Sequence, residues 1–516
     1  MRKFLALATT APLALAACTV GPDYDPPRLE VPANFAEPAP AVGSDVDPAH
    51  WWTAFGDAEL DSLIERALDG SPSIAVAASR IRQARTEEIR ARAVGKPTVN
   101  ATGNVSHLEF SKNAGLSSLA RAFGGGSGDQ SGGSTGNGSS PSTGIALPGS
   151  GITTYAVGFD AQWELDLFGG GQRGAEAAVA ATEAQLWNAR DAAVTLVAEI
   201  ADAYFALRMD RQQIAILNEE IASQERAIEI ANHNAQVGLS PEIDVVRQRE
   251  SLTQLRARVP QLEADARVRV HALGILIGKG PNAVSGELAG PLPELAPVPA
   301  VPAGLPSDLL RRRPDIRAAE RNLAASTAQV GVAVADLYPK FSLTGIAELI
   351  STSLSSLFST DSVQLQGTAA AMFPVLDWGT RKATVASREE DRTQAYYQYQ
   401  MTVLQGLKDV EDALANIAAE RQRNAALRSG VADAMRSESA VEAQYRTGLV
   451  SQSPLLDAQA RVLQARENLV ASDAQLRQQT AALFKALGGG WSEDTIDVNR
   501  GRGEPMAEPS QQASEG

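Results

Sequence analysis

A large part of this chain is written twice. Val237-Gly238-Leu239-Ser240 returns as Thr447-Gly448-Leu449-Val450, displaced by 210 residues. Apolar positions downstream keep that displacement: Val245, Leu252, Val259, Ala266 and Leu273 match Leu455, Val462, Leu469, Leu476 and Leu483. Five matches at one offset identify an internal duplication. Pro72 and Pro314, and Pro97 and Pro339, are displaced by 242 instead, which a longer loop in the first copy accounts for. The fold must therefore be built from two equivalent halves.

Each half reads as the same series. A helix of about 35 residues comes first (58–95, then 307–338), followed by two strands, a very long helix (172–236, then 380–446) and a second helix of about 35 residues (242–278, then 453–487). Val197, Ile200, Tyr204, Leu207, Ile214, Leu217 and Ile221 carry heptad spacing in one long helix, and Val403, Leu407, Val410, Leu414 and Ile417 in the other. At 1.5 Å per residue, about 65 residues make a rod of roughly 100 Å, which two shorter helices end to end would match. Ala, Gln, Arg, Glu and Leu dominate long stretches and aromatics are 5%, as extended helices require. Residues 58–279 thus form the first repeat, 280–306 a Pro-rich linker, 307–487 the second repeat, and 488–516 a polar tail expected to be disordered.

Between the helices lie four alternating segments. Tyr155, Val157, Phe159, Ala161, Trp163 and Leu165 alternate with polar or small residues, as do Val99 to Val105, Phe341 to Ala347 and Val363 to Phe373. Any one of these fits a half-buried soluble strand, whereas four between long helices fit membrane strands. Four strands cannot close a barrel, since the smallest use eight, so several chains must contribute. Gly124 to Gly151 is almost all Gly, Ser, Thr and Pro and reads as a flexible loop between the first two strands.

The N-terminus carries Arg2 and Lys3, an apolar run from Phe4 to Ala17, and then Cys18 after Leu15-Ala16-Ala17. Residues 1–17 read as a signal peptide, and Cys18, in what looks like a bacterial lipobox, as the lipid attachment site at the head of an N-terminal segment, 18–57. Cys18 is the only cysteine, so disulfides within the chain are excluded. Beyond the signal no apolar run reaches the length of a membrane helix, so a membrane crossing must use a closed barrel.

Other classes of function are disfavoured. The formal charge of −15 argues against nucleic acid. The four histidines, His50, His107, His233 and His271, show no metal-ligand spacing, and the Gly124–Gly126 run lacks the strand-to-helix setting of a phosphate loop. No catalytic residues, metal or cofactor are expected. A coiled-coil tether without a pore would share the lipobox and heptads, but has no use for four strands.

With Cys18-Thr19-Val20-Gly21-Pro22-Asp23-Tyr24, Trp51-Trp52 through Phe55 and Leu60, Arg312-Arg313-Pro314-Asp315-Ile316, Ala335-Asp336-Leu337-Tyr338-Pro339 and Leu456-Asp457-Ala458-Gln459, the chain resembles the TolC-like outer membrane factor family, most closely its lipidated branch. The resemblance runs from Cys18 to about Gly490. It implies a mainly α chain with a membrane β-barrel: a homotrimer with a twelve-stranded barrel continued by a twelve-helix periplasmic α-barrel, lipid-anchored in the outer membrane. It further implies the exit duct of a tripartite efflux pump for small molecules, with a periplasmic adaptor (membrane fusion) protein and an inner-membrane resistance–nodulation–division pump as partners. A duct for type I protein secretion or heavy-metal efflux is the alternative on the same fold.

The resemblance also implies a closed periplasmic gate. An Asp six residues after the first-copy Gly, a Tyr three before the second-copy Gly and an Asp nine after it fall at Asp244, Tyr445 and Asp457. The family's Arg two residues after the second Gly is Val450 here, which leaves Arg446 and Arg247 as the candidate cations. Leu456, beside Asp457, is a candidate apolar constriction. The plain alternative is that these carboxylates favour helix N-termini. Gly238 and Gly448 read as helix C-caps, with Ser240, Pro241 and Ser451 starting the next helices. That leaves Leu239 and Leu449 apolar at tips facing water, where burial against a partner would satisfy them, and the resemblance implies that the partner is the adaptor, with Gly238, Leu239, Gly448 and Leu449 as its docking surface.

Overall fold

The computed structural model describes residues 19–37, 46–109, 151–238, 241–290, 295–301 and 306–499. Cys18, Leu239, Ser240 and most of the Gly/Ser-rich segment lie outside them.

The elements run α1 (Ala58–Gly70), α2 (Pro72–Ala93), β1 (Thr98–Glu109), β2 (Gly151–Leu165), α3 (Gly170–Gln236), α4 (Glu242–Leu276), α5 (Pro306–Arg312), α6 (Pro314–Ala335), β3 (Lys340–Ser351), β4 (Val363–Met372), α7 (Thr380–Arg446) and α8 (Gln452–Ala486). The duplication survives to the residue. Helices α3 and α7 each span 67 residues and α4 and α8 each 35, displaced by 210. Helices α2 and α6 each span 22 residues, displaced by 242.

One expectation needs correction. The helices expected over 58–95 and 307–338 are each two helices, broken at Ser71 and Arg313. The cause is the proline that follows: its ring disfavours the helical region for the preceding residue, and Ser71 is extended at φ −66°, ψ 131°. Both breaks are filled. A Cβ on Gly278 would lie 2.3 Å from the Gly70 carbonyl oxygen, and one on Gly488 would lie 2.9 Å from Arg313 Cα. Thus the C-terminal ends of α4 and α8 seat in equivalent notches.

The chain divides into two compact units. The first comprises residues up to Pro22, Arg90–Ala175 and Gln329–Ser387, and the second Asp23–Ile89, Glu176–Ala328 and onward from Arg388. The first holds one antiparallel sheet in the order β1-β2-β3-β4. β2 pairs with β3, which joins the two copies. Just below it, Phe168 stacks on Tyr338 with centroids 4.6 Å apart.

The second unit is helical. Helices α3 and α4 form an antiparallel hairpin bridged by Arg256 to Glu225, Arg249 to Asn232 and Arg269 to Asp210. Helices α7 and α8 repeat the arrangement through Asn424 and Arg428 to Asp473. Arg258 on α4 meets Glu467 on α8 at 2.6 Å, which ties the hairpins together. The heptad residues Val197, Ile200, Tyr204, Leu207, Val403, Val410, Leu414 and Ile417 are buried, and Trp51, Trp52, Phe55 and Leu60 join the same core.

The described parts of the linker and tail are more closely packed than their composition suggests. Val284 and Leu288 are buried, and Arg211 donates to the Ala289 and Gly290 carbonyls. Residues 488–499, expected to be disordered, are packed: Ile496 is buried, Trp491 Nε1 donates to the Arg312 carbonyl at 3.2 Å, and Arg190 sits over the Trp187 and Trp491 rings. Two aromatic rings around one cation recover surface that a count of polar residues hides.

Candidate functional site

Directly opposed residues in a sheet share a face, so the register sorts every strand residue. Val105 opposes Tyr155, which opposes Ser351; Ala101 opposes Phe159, which opposes Ala347, which opposes Leu365. Continued along the strands, this puts Val99, Val157, Ala161, Trp163, Phe341, Leu343, Leu349, Val363, Ala369 and Ala371 on one face. The other face carries Asn100, Thr102, Asn104, Asp160, Gln162, Glu164, Thr344, Glu348, Gln364, Gln366 and Thr368. The apolar residues Val99, Phe159, Trp163, Val363 and Leu365 are exposed in the single chain. One face is mainly apolar, with His107 and Glu109 toward the end of β1, and the other mainly polar, with Ile346, Ile350 and Met372 among its residues, the asymmetry that a barrel with lipid outside and water inside requires. Among the described residues, no helix is long and apolar enough to cross a membrane.

The strand-bearing unit also holds the residues after Cys18. Val20 donates its N–H to the Phe168 carbonyl at 3.1 Å, and Arg173 Nε donates to the Val20 carbonyl at 3.2 Å. Gly169, at φ +78°, admits Thr19 so closely that a Cβ would lie 2.6 Å from the Thr19 methyl. The position after the expected lipid site is thereby tied to the foot of β2.

The helix tips are built as their glycines demand. At the end of α7, the Leu449 N–H donates to the Gln444 carbonyl and the Gly448 N–H to the Tyr445 carbonyl, each at 2.9 Å. This paired closure, with Gly448 at φ +74°, is the Schellman cap. Such caps often bury the residue after the glycine against the helix, but here its partner position is the polar Gln444, and Leu449 is 77% exposed. Gly238 repeats the left-handed turn at φ +76°. Capping of the following helices differs from expectation: Ser451 holds the N-cap position of α8 without a side-chain hydrogen bond, and Pro241 takes that of α4, one residue before the first turn.

Of the expected gate residues, Asp244 lies within electrostatic reach of Tyr445. Burial pushes the Tyr445 phenol above its ordinary value, and the nearby Asp244 carboxylate adds to the rise. Arg247 stands 3.7 Å from Asp244 on the same helix, while Arg446 pairs with Glu442 at 2.6 Å, so of the two candidate cations Arg247 is the one beside Asp244. Leu456 is half-buried and Asp457 exposed on α8. Sequence reasoning missed a second acidic feature. Glu220 and Glu438 are both pushed above the usual carboxylate range, first by burial and then by neighbouring carboxylates, Glu438 in the case of Glu220 and Glu442 in that of Glu438. Periodicity along the chain could not have found them, because the effect comes first from burial and, for Glu220, then from a carboxylate 218 positions away in sequence. Among the described residues, no group of His, Cys, Asp and Glu is suited to a metal ion.

Known proteins carry the same pattern. The family model for outer membrane efflux protein matches residues 63–279 and 305–489. Nodulation protein T of Rhizobium leguminosarum bv. viciae is 28% identical over 502 residues, spanning 96% of this chain and 95% of that protein. The antibiotic efflux pump outer membrane protein ArpC of Pseudomonas putida is 29% identical over 97% of this chain and 98% of its own length. Among solved structures, the outer-membrane channel OprN matches with a TM-score of 0.79 at 29% identity, covering 92% of this chain and all of that one. The open state of the MtrE outer membrane channel of Neisseria gonorrhoeae matches at 0.77 and 26% identity, covering 93% of this chain and 100% of that one. The two-copy architecture, the sheet with one apolar and one polar face, and the family match over both copies together establish that this chain belongs to the outer membrane efflux protein family and has the fold of its outer-membrane channels.

Proposed function

We propose that three copies of this chain close a twelve-stranded barrel in the outer membrane and a twelve-helix periplasmic tunnel, forming the exit duct of a tripartite efflux pump for small molecules. The observation that carries this reading is the four-stranded sheet itself. It has two faces of opposite polarity and two edges, β1 and β4, each with a single neighbour. Open edges in lipid leave backbone groups without partners, and four strands are too few to close alone. Three chains supply twelve strands.

Cys18 is the lipid attachment site in this reading, and the tie between Thr19–Val20 and the foot of β2 supports an anchor beside the membrane. The duct works with a periplasmic adaptor protein, received at the Gly238-Leu239 and Gly448-Leu449 tips, and with an inner-membrane pump of the resistance–nodulation–division type. Relatives named for antibiotic efflux and pyoverdine export favour small organic molecules over proteins or metal ions as cargo. Asp244, Tyr445, Leu456 and Asp457 form the resting periplasmic gate.

Purified protein in a planar bilayer tests the duct directly. Discrete single-channel conductance, with a trimer mass in detergent, is the expected result. A monomer that never conducts would leave only a periplasmic tether.

A further inference from the structure

The duplication specifies how neighbouring copies meet. In the first copy β1 pairs with β2, Thr98 opposite Gln162. Displaced by the repeat offsets of 242 and 210, that pair becomes Lys340 opposite Met372, which is the pairing observed between β3 and β4. The offsets therefore transfer strand register without a slip. The contact joining copy one to copy two, β2 to β3, can be carried forward in the same way. It lands on β4 of one chain and β1 of the next.

Given the barrel closure proposed above, which seats β4 antiparallel against β1 of the next copy, we propose that this seam keeps the transferred register and is locked at its periplasmic foot by Trp378 lying over the partner subunit's Lys96. Tyr155 opposite Ser351 becomes Leu365 opposite the partner's Glu109, Phe159 opposite Ala347 becomes Ala369 opposite the partner's Val105, and Leu165 opposite Phe341 becomes Val375 opposite the partner's Val99. Residues of the mainly apolar face meet residues of the same face throughout, with the partner's Val99 and the partner's Val105 in the wall and the partner's Glu109 at the outer end of the seam. A slip of one residue would turn every side chain of the added strand to the wrong face.

The foot follows the same displacement. Phe168 stacks on Tyr338 within the chain; its second-copy equivalent is Trp378 and the first-copy equivalent of Tyr338 is Lys96. Trp378 is 91% exposed in the single chain and holds a left-handed backbone at φ 54°, beside Gly379 at φ +85°. A large ring held on a strained backbone in open solvent is costly. An ammonium over its face would use the ring's negative quadrupole. Replacing an aromatic pair by an aromatic–cation pair makes the contact between chains distinct from the contact within a chain.

The inference rests on the trimer reading, and cysteine pairing separates the two. Directly opposed Cα atoms, about 4.5–5.5 Å apart, are within disulfide reach, while partners shifted by two residues, at about 7–8 Å, are not. Within one chain β1 and β4 lie three strand spacings apart, about 14 Å, so only neighbours can crosslink. Val105→Cys with Ala369→Cys should yield covalent dimers and trimers on non-reducing gels, whereas Val105→Cys with Gly367→Cys or Ala371→Cys, and each single variant, should not. A shifted pair that crosslinks instead, from protein of trimer mass, overturns the register but leaves the trimer standing. Absence of crosslinking in all pairs from a trimer overturns strand pairing at this seam, and a monomer in detergent overturns the trimer itself. For the foot, Trp378→Ala and Lys96→Ala should each lower the temperature at which the trimer dissociates, and the double variant should lower it no further than the worse single. Additive losses would separate the two residues.

Discussion

Arg208 and Asp57 meet at 3.0 Å with each side chain only 2% exposed. The same carboxylate oxygen accepts from the Tyr204 hydroxyl at 2.7 Å, and the other caps α1 by accepting from the Glu59 and Leu60 N–H groups. One aspartate thus starts a helix and neutralises a buried cation on the long rod α3. Burial and the Asp57 hydrogen bond push the Tyr204 phenol far up, so it stays a donor.

Removing Asp57 should break the buried ion pair with Arg208, at a cost of about 3–5 kcal/mol. Asp57→Ala is expected to melt well below the parent protein in detergent. Asp57→Leu combined with Arg208→Met should recover part of the loss, because both buried charges are then replaced by apolar groups. Calorimetry of the purified proteins decides, and equal melting of parent and Asp57→Ala would remove the network from any structural role.

Cys18→Ala is expected to abolish acylation and cleavage at the lipobox. Stable anchoring of a lipidated protein needs at least two membrane signals, and the apolar sheet face supplies one independently. Transport should therefore fall without vanishing. Labelling of cells with radioactive palmitate is the readout, and label persisting on the variant would refute the assignment.

The Asp244–Tyr445 pair should hold the periplasmic mouth closed. Tyr445→Phe with Asp244→Ala removes both the hydroxyl and the carboxylate and is expected to raise single-channel conductance severalfold. Because Arg247 stands beside Asp244, Arg247→Ala should open the channel less than the double variant. Conductance equal to the parent's in the double variant would move the gate elsewhere.

The resting channel should prefer cations. Asp457 is exposed on α8, and the polar sheet face carries Asp160, Glu164 and Glu348 against Lys340. Three copies of these carboxylates in a confined pore make its potential negative. A reversal potential of cationic sign under a salt gradient is expected, and Asp457→Asn should reduce it. An anion-selective parent would contradict the assignment.

Leu449 is 77% exposed at the tip that follows the Gly448 cap. Leu239→Glu with Leu449→Glu should leave the protein folded and inserted but abolish efflux and in-cell crosslinking to the adaptor. Drug susceptibility rising to that of a deletion strain is the expected phenotype. Retained efflux would shift docking to the grooves between hairpins.

Sequence alone determined the duplication, the spans of the long helices and the alternating faces of all four strands. Each of these is carried by local periodicity: a heptad or a two-residue alternation is complete within its own segment. The left-handed glycines at both tips were legible for the same reason. What the tertiary structure decided was everything that depends on distant partners. The breaks at Ser71 and Arg313 were hidden inside one apolar pattern, although Pro72 and Pro314 mark them, because the notch matters only once Gly278 and Gly488 enter it. The packed segment 488–499 looked disordered because its polar residues outnumber Trp491 and Ile496, which find their burial against α3 and the core. Strand order, the β2–β3 seam between copies, and the pairing of Asp57 with Arg208 across 151 positions carry no local signature. They arise from burial and hydrogen-bond satisfaction among segments far apart in sequence.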